Sequence, residues 1–452
     1  MHDANFLIEN NAKHFWHPMA HPAEMQAQPP TVITAAEGVE VTDVHGQRLL
    51  DAVGGLWNVN LGYSCQPVKD AIRDQLERLP YYSAFRGTST GPAIELSYEL
   101  RQWFEADGLV RAFFTSGGSD SVETALRLAR QYHKIRGQHD RTKFISLKQG
   151  YHGTHFGAAS VNGNAKFRRN YEPLLPGCFH IPPPWPYRNP FGEDDPAKLA
   201  RLSAAALDDE IAFQGPDTVA AFIMEPVLGA GGVIVPDPSF MPQVREICDR
   251  HGVLLIADEV ITAFGRTGAW TGSRLWGVRP DLMSLAKAIT NGYYPMGATM
   301  ISEGVAEAFE RNDDSFGNIG HGYTYSAHPV AAAAALAALA ETERLQVADN
   351  AKARGQELIA ACRDLKARYE VVGDVRGQGL MLCLELVADR AAKTPAAKET
   401  VNAVFETAYQ AGVMVRVSGH QLILSPPLII SAADVGRIAA ALDAGLAAAN
   451  PA

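Results

Sequence analysis

Cysteine is scarce in this sequence and follows no functional pattern. The five residues Cys65, Cys178, Cys248, Cys362 and Cys383 are odd in number and scattered through 452 residues, with no Cys-x-x-Cys pair. That excludes a disulfide framework and a thiolate metal or redox centre, and it points to a reducing, cytoplasmic setting. Positive charge is not in excess either: 40 Lys and Arg oppose 50 Asp and Glu, a net of −10. Broad binding to nucleic acid or an anionic membrane needs concentrated cationic surface, so both are argued against. No stretch reaches the roughly 18 uninterrupted apolar residues of a membrane span. The first thirty residues lack the cationic start and apolar core of a signal peptide. Among their histidines, His14, His17 and His21 are accompanied by Pro18 and Pro22, which spoil one-face helical spacing, so a metal site is not expected there.

What the chain has is length and alternation. It is long enough to bury a large core without staples. Alternating apolar and polar residues over 39–43, a turn at Val44-His45-Gly46-Gln47 and a run over 48–53 predict an antiparallel hairpin. Helical periodicity over 68–79, 93–105, 122–135 and 241–251 then alternates with short apolar runs at 112–115, 144–147, 219–224 and 253–257. Such units imply an α/β fold with a mostly parallel sheet covered on both faces. Seven prolines over 176–196 predict an irregular surface excursion. Beyond the alanine-rich helix over 331–345 comes a second set: helix 350–369, strands 371–376 and 380–387, helix 398–411, strands 413–417 and 422–425, and a final helix. The expected division is 1–60 and 330–452 as two parts of one small domain, with 61–329 as the large domain.

Three constellations carry chemistry. Thr115-Ser116-Gly117-Gly118-Ser119-Asp120-Ser121 follows an apolar run and opens a helix, with Glu123 placed as in a capping box. Free N–H groups, small hydroxyls and the helix dipole make an anion cradle there. Val253-Leu254-Leu255-Ile256-Ala257-Asp258-Glu259 is an apolar strand ending in acids, which places Asp258 at the ligand-binding edge of a parallel sheet. Asp281-Leu282-Met283-Ser284-Leu285-Ala286-Lys287 reads as a strand ending in a lysine. An amine held among apolar neighbours has a lowered pKa and is a Schiff-base nucleophile. Together these match the needs of pyridoxal 5′-phosphate: an amine for its aldehyde, an acid for its ring nitrogen and a cradle for its phosphate. Two other patterns fail. Gly87-Thr88-Ser89-Thr90-Gly91 has no buried strand leading into it, against a serine hydrolase. Gly229-Ala230-Gly231-Gly232 meets Pro236 and Pro238 where a dinucleotide-binding helix would begin.

The stretch from Leu254 to Gly297, with Gly265-Arg266-Thr267-Gly268 and Pro295-Met296-Gly297, resembles the class III, fold-type I aminotransferases. So do Tyr151-His152-Gly153, Glu225-Pro226 and His321-Gly322-Tyr323-Thr324-Tyr325-Ser326-Ala327-His328-Pro329, and the likeness runs over nearly the whole chain. It implies that Lys287 is the Schiff-base lysine and proton shuttle and that Asp258 pairs with the pyridine nitrogen. Tyr151 and Val260 would sandwich the ring, and Gly118 and Ser119 would hold the phosphate. Thr324 would reach that phosphate from the neighbouring subunit, giving a homodimer with shared sites and leaving pairing into a tetramer open. Glu225 would orient the Asp258 region. Arg416 matches the carboxylate-binding arginine, and Ala230 stands where the ornithine and 4-aminobutyrate branches carry its glutamate partner. Trp57 and Phe85 match pocket-lining positions of the ω-aminotransferase branch. The expected activity moves an amino group from an ω-amino acid or primary amine to pyruvate. The alternatives are a diamine or 4-aminobutyrate enzyme using 2-oxoglutarate, and a non-catalytic cofactor-binding protein.

Overall fold

The computed structural model describes residues 3–85 and 87–449. Its centre is a seven-stranded sheet in the order Leu109–Thr115, Gly297–Ser302, Leu282–Leu285, Leu254–Asp258, Val219–Met224, Lys143–Leu147, Cys178–Ile181. Neighbours are parallel except at Gly297–Ser302, which runs antiparallel to both of its partners. Every residue of Val219–Met224 and Leu254–Asp258 is buried. Their side chains alternate between two cores: Phe222, Met224, Leu255 and Ala257 on one face, Ala221, Ile223, Leu254 and Ile256 on the other. Uninterrupted apolar runs are what a doubly covered parallel sheet requires. The helix Gly118–Ile135 lays Val122, Ala125, Ala129 and Tyr132 into the second of these cores.

A second sheet, entirely antiparallel along its path, orders Val372–Gln378, Met381–Asp389, Gln421–Leu424 and Arg416–Ser418. One face carries Leu382, Leu384, Leu386, Leu422 and Leu424 into a core shared with the helices Val347–Arg368, Lys398–Gln410 and Ala432–Ala449. The other face turns Met381, Cys383 and Ile423 toward Val227, Val233 and Ile261 of the large-sheet loops. A third sheet joins distant parts of the chain. Ile33–Glu37, Glu40–Asp43 and Arg48–Asp51 form an antiparallel set, and Val413–Met414 adds in parallel to Arg48–Asp51 with Val413 opposite Leu50.

Several expectations are corrected. The proline-rich 176–196 segment contains a strand, Cys178–Ile181, because its first prolines fall at 176 and 182 and leave five residues free to pair. The lysine does not end a strand: Leu282–Leu285 stops short of it. The 413–417 run is two strands, Val413–Met414 and Arg416–Ser418, which join different sheets. Asp120 lies inside its helix, where its Oδ2 accepts from the Ser116 N–H, and Glu123 turns to Arg127 and the Ala158 N–H, so no capping box forms.

Candidate active site

At the carboxyl edge of the central strands, one cleft collects Gly118, Ser119, Tyr151, Glu225, Asp258, Val260 and Lys287 from five loops. It also takes in His152, Gly153 and Ile261, to which the sequence reading gave no role. Lys287 opens a 3-10 turn, Lys287–Thr290, with φ of 51°. That left-handed conformation is unusual for a lysine and turns the chain sharply away from the sheet. Burial pushes the Lys287 ammonium pKa down; the charges of Asp258 and Glu225 oppose the shift and that of Arg416 adds to it. A depressed pKa enlarges the fraction present as free amine, the nucleophilic form.

Asp258 is the last residue of its strand and is buried. Its Oδ2 lies 2.8 Å from His152 Nδ1, and its Oδ1 accepts from the Val260 N–H at 3.2 Å. His152 is itself buried, and its Nε2 has no hydrogen-bond partner among the described residues. Its backbone N–H donates to Asn162 Oδ1, which holds the Tyr151-His152-Gly153 turn in place. Glu225 is also buried, and its bonds go to the N–H groups of Tyr151 and Gly229, both at 2.8 Å, rather than to Asp258. Burial lifts its pKa to about 7; His152 opposes this and Asp258 reinforces it. Glu225 therefore shapes the aromatic wall and the loop opposite.

The cradle is open by construction. Gly117 caps the helix Gly118–Ile135 without a side-chain bond, so the first-turn N–H groups, which lack intrahelical acceptors, remain for an anion. A Cβ on Gly118 would come within 3.0 Å of Val260, and one on Gly153 within 2.6 Å of Ser119 Oγ. Ser119 Oγ accepts from the Thr154 N–H at 3.1 Å. An amine, a buried carboxylate, an aromatic face and an anion cradle around one cleft fit pyridoxal phosphate.

The remaining predicted residues lie at different distances from this cleft. Arg416 is half-buried on the second sheet; its side chain makes no hydrogen bond or ion pair with the described residues and interacts electrostatically with Tyr151 and Lys287. Trp57 is buried in the apolar cluster that contains Ile261. Ala230 occupies the glycine loop after Val219–Met224, which an antiparallel bridge between Leu228 and Ile234 closes. Thr324 and Phe85 do not line the cleft. Both are exposed, in a surface region where Tyr81 Oη donates to the Thr324 carbonyl and Phe85 lies over Gly322. Sequence reasoning also missed Phe167, whose ring meets Tyr151 edge-on at 4.8 Å. It gave no role to Arg266 of the Gly265-Arg266-Thr267-Gly268 motif, which is fully buried and bonded to the carbonyls of Leu380 and Pro426 and to Asn60 Oδ1. Burial lowers the Arg266 pKa to about 9. The N-terminal histidines serve locally: His17 bonds Asn11 and His21 caps a short helix.

Fold and cleft together define a pyridoxal-phosphate-dependent enzyme of fold type I. Residues 22–446 match the model of the class III aminotransferases, and the chain belongs to that family. A solved amine transaminase from an uncultivated Pseudomonas species, in its PLP-bound form, superposes with a TM-score of 0.95 at 46% identity, over 97% of this chain and 99% of that one. The putrescine–pyruvate aminotransferase of Pseudomonas aeruginosa is 35% identical over 90% of this chain and 88% of its own. The mitochondrial gamma-aminobutyrate transaminase 1 of Oryza sativa subsp. indica is 37% identical over 90% and 80%.

Proposed function

We propose that this aminotransferase takes the amino group of a primary amine or ω-amino acid and delivers it to pyruvate, with Lys287 as its proton-transfer residue. The observation that carries the reading is the convergence of Lys287 and Asp258 on one cleft beside the Gly118–Ser119 cradle. Bound there, pyridoxal phosphate supplies an aldehyde for the donor amine and an electron sink for the carbon that loses its proton. Gly118 and Ser119 hold the phosphate end, and Tyr151 and Val260 flank the ring. Asp258, kept in place by His152 and the Val260 N–H, presents its carboxylate to the ring nitrogen and so favours the protonated ring. Lys287 Nζ, once free, takes the proton from the donor carbon and returns it on the other side of the transfer, which its lowered pKa assists.

Arg416 binds the acceptor's carboxylate with its planar fork and leaves neutral donors unhindered, since no carboxylate among the described residues engages it. Ala230 supplies no charge to hold it. Trp57 and Phe85 bound the donor pocket with apolar surface, which favours long or aromatic amines over a second carboxylate. Thr324 and Phe85, exposed and away from their own chain's cleft, serve the neighbouring subunit's cleft in a homodimer. The scattered free cysteines support a cytoplasmic location. The gamma-aminobutyrate relative favours that donor in a second reading, for which 2-oxoglutarate is the alternative acceptor. A donor panel run against both keto acids separates them: faster turnover with pyruvate across aryl and alkyl amines supports the first, and strict dependence on 2-oxoglutarate refutes it.

A further inference from the structure

The register of the second sheet places two arginines in one row. Arg416 pairs with Ile423, Ile423 with Cys383, and Cys383 with Arg376, so all four side chains leave the same face. The next row, Ser418, Gln421, Glu385 and Asp374, follows the same registers. This is the face that Cys383 and Ile423 turn toward the large-sheet loops. The two arginines are held very differently. The Arg416 side chain has no hydrogen-bond or ion-pair partner among the described residues, whereas Arg376, with only 10% of its side chain exposed, is bound on three sides. Its Nη1 donates to Asp374 at 2.7 Å and to Glu385 at 2.9 Å, and its Nε donates to the Gly232 carbonyl at 2.7 Å. The guanidinium lies 4.9 Å from the centre of the Trp185 ring.

Glu385 is completely buried and gathers Arg188 at 2.7 Å and His420 at 3.2 Å beside Arg376. Gln421 lies against Gly232: a Cβ on that glycine would fall 2.6 Å from its side-chain oxygen, and φ there is +110°. Gly232 belongs to the loop that carries Ala230 and gives the Gly229 N–H to Glu225. On the other side, a Cβ on Gly231 would come within 2.4 Å of the Gln149 carbonyl, two residues before Tyr151. The loop is thus clamped between the second sheet and the strand-end turn that carries the aromatic wall.

We infer that Arg376, fixed by Glu385 and Asp374, is a positioning residue. By anchoring this sheet face to the Gly232 carbonyl it sets where Arg416, in the same row, stands over the cleft, and so sets affinity for carboxylate-bearing substrates. The chain of contact is continuous: the two intervening strands, Met381–Asp389 and Gln421–Leu424, join the strands of Arg376 and Arg416 through backbone pairing, and the anchor bond is charge-assisted. The inference rests on the proposed role of Arg416 as carboxylate binder.

The test uses the holoenzyme with pyruvate as acceptor and a neutral arylalkylamine as donor, and it compares Arg416→Ala, Arg376→Lys and Gln421→Ala. Arg376→Lys keeps the charge but loses the forked donor set that serves Gly232 and both acids at once. Arg376→Lys is expected to raise KM for pyruvate about tenfold, an effect of the size that one lost charge-assisted bond produces. The single-turnover rate with the neutral amine should stay within about threefold, and the visible cofactor spectrum should not change. Gln421→Ala, which unpairs no charge, is expected to move the same ratio in the same direction by a smaller factor, and it carries the test if Arg376→Lys does not fold. Equal losses in the amine and pyruvate half-reactions, or no change in either, overturn the inference. If Arg416→Ala itself leaves KM for pyruvate unchanged, the carboxylate-binding role of Arg416 fails instead.

Discussion

Replacing Glu225 by glutamine removes a carboxyl group that the fold buries between the N–H groups of Tyr151 and Gly229. Burial raises its pKa from 4.5 to about 7, with Asp258 adding to the shift and His152 opposing it. An acid whose folded pKa exceeds its unfolded value binds its proton more tightly in the folded protein. Its stabilising contribution is therefore complete below the unfolded value of 4.5 and is lost as pH climbs to about 7. At roughly 1.4 kcal/mol per pKa unit, that shift is worth about 3 kcal/mol. The glutamine side chain carries no proton to release. The stability of the cofactor-free wild type, measured relative to Glu225→Gln, should therefore fall by about 3 kcal/mol between about pH 4 and about pH 8. Urea unfolding at matched protein concentration reads this, because titrating groups that do not interact with Glu225 cancel in the difference. The two proteins keeping parallel pH profiles would refute burial as the cause of the shift, whatever their absolute stabilities.

Two further outcomes are expected. Borohydride should fix the cofactor to Lys287 in the holoenzyme, as mass spectrometry of the digested protein would reveal. Lys287→Ala should lose both the fixed adduct and, on the order of a thousandfold, turnover; an adduct at another lysine would contradict the assignment. Outside the cleft lining, Arg274 grips the buried Asp107 through Nε at 2.9 Å and Nη2 at 2.7 Å. Arg274→Ala leaves that carboxylate uncompensated and should cost about 3 kcal/mol in a denaturant midpoint experiment, with the cofactor spectrum intact.

Much of the architecture was legible because it is written in local patterns. The runs that became Val219–Met224 and Leu254–Asp258 are apolar without a break, which only a strand covered on both faces tolerates. The Gly117-Gly118-Ser119 turn before a helical period, and an acid closing an apolar strand, are signals that neighbours in sequence carry by themselves. The Cys178–Ile181 strand was hidden because its flanking prolines dominate the composition, although none falls inside it. The left-handed Lys287 was equally hidden, since no propensity assigns that conformation to a lysine.

By itself the sequence determined the mostly parallel sheet, the cradle and the lysine and acid that bound the cleft, because backbone preference and burial pattern act within a few residues. Only the tertiary structure decided that His152 holds Asp258, that Glu225 serves Tyr151 and Gly229, and that Arg376 and Arg416 share a row of one sheet. Apart from the Glu225–Gly229 bond, which spans four residues, those contacts join segments tens to hundreds of residues apart. Their partners are selected by packing and by the cost of leaving a buried charge unpaired, terms that exist only once the chain has closed on itself.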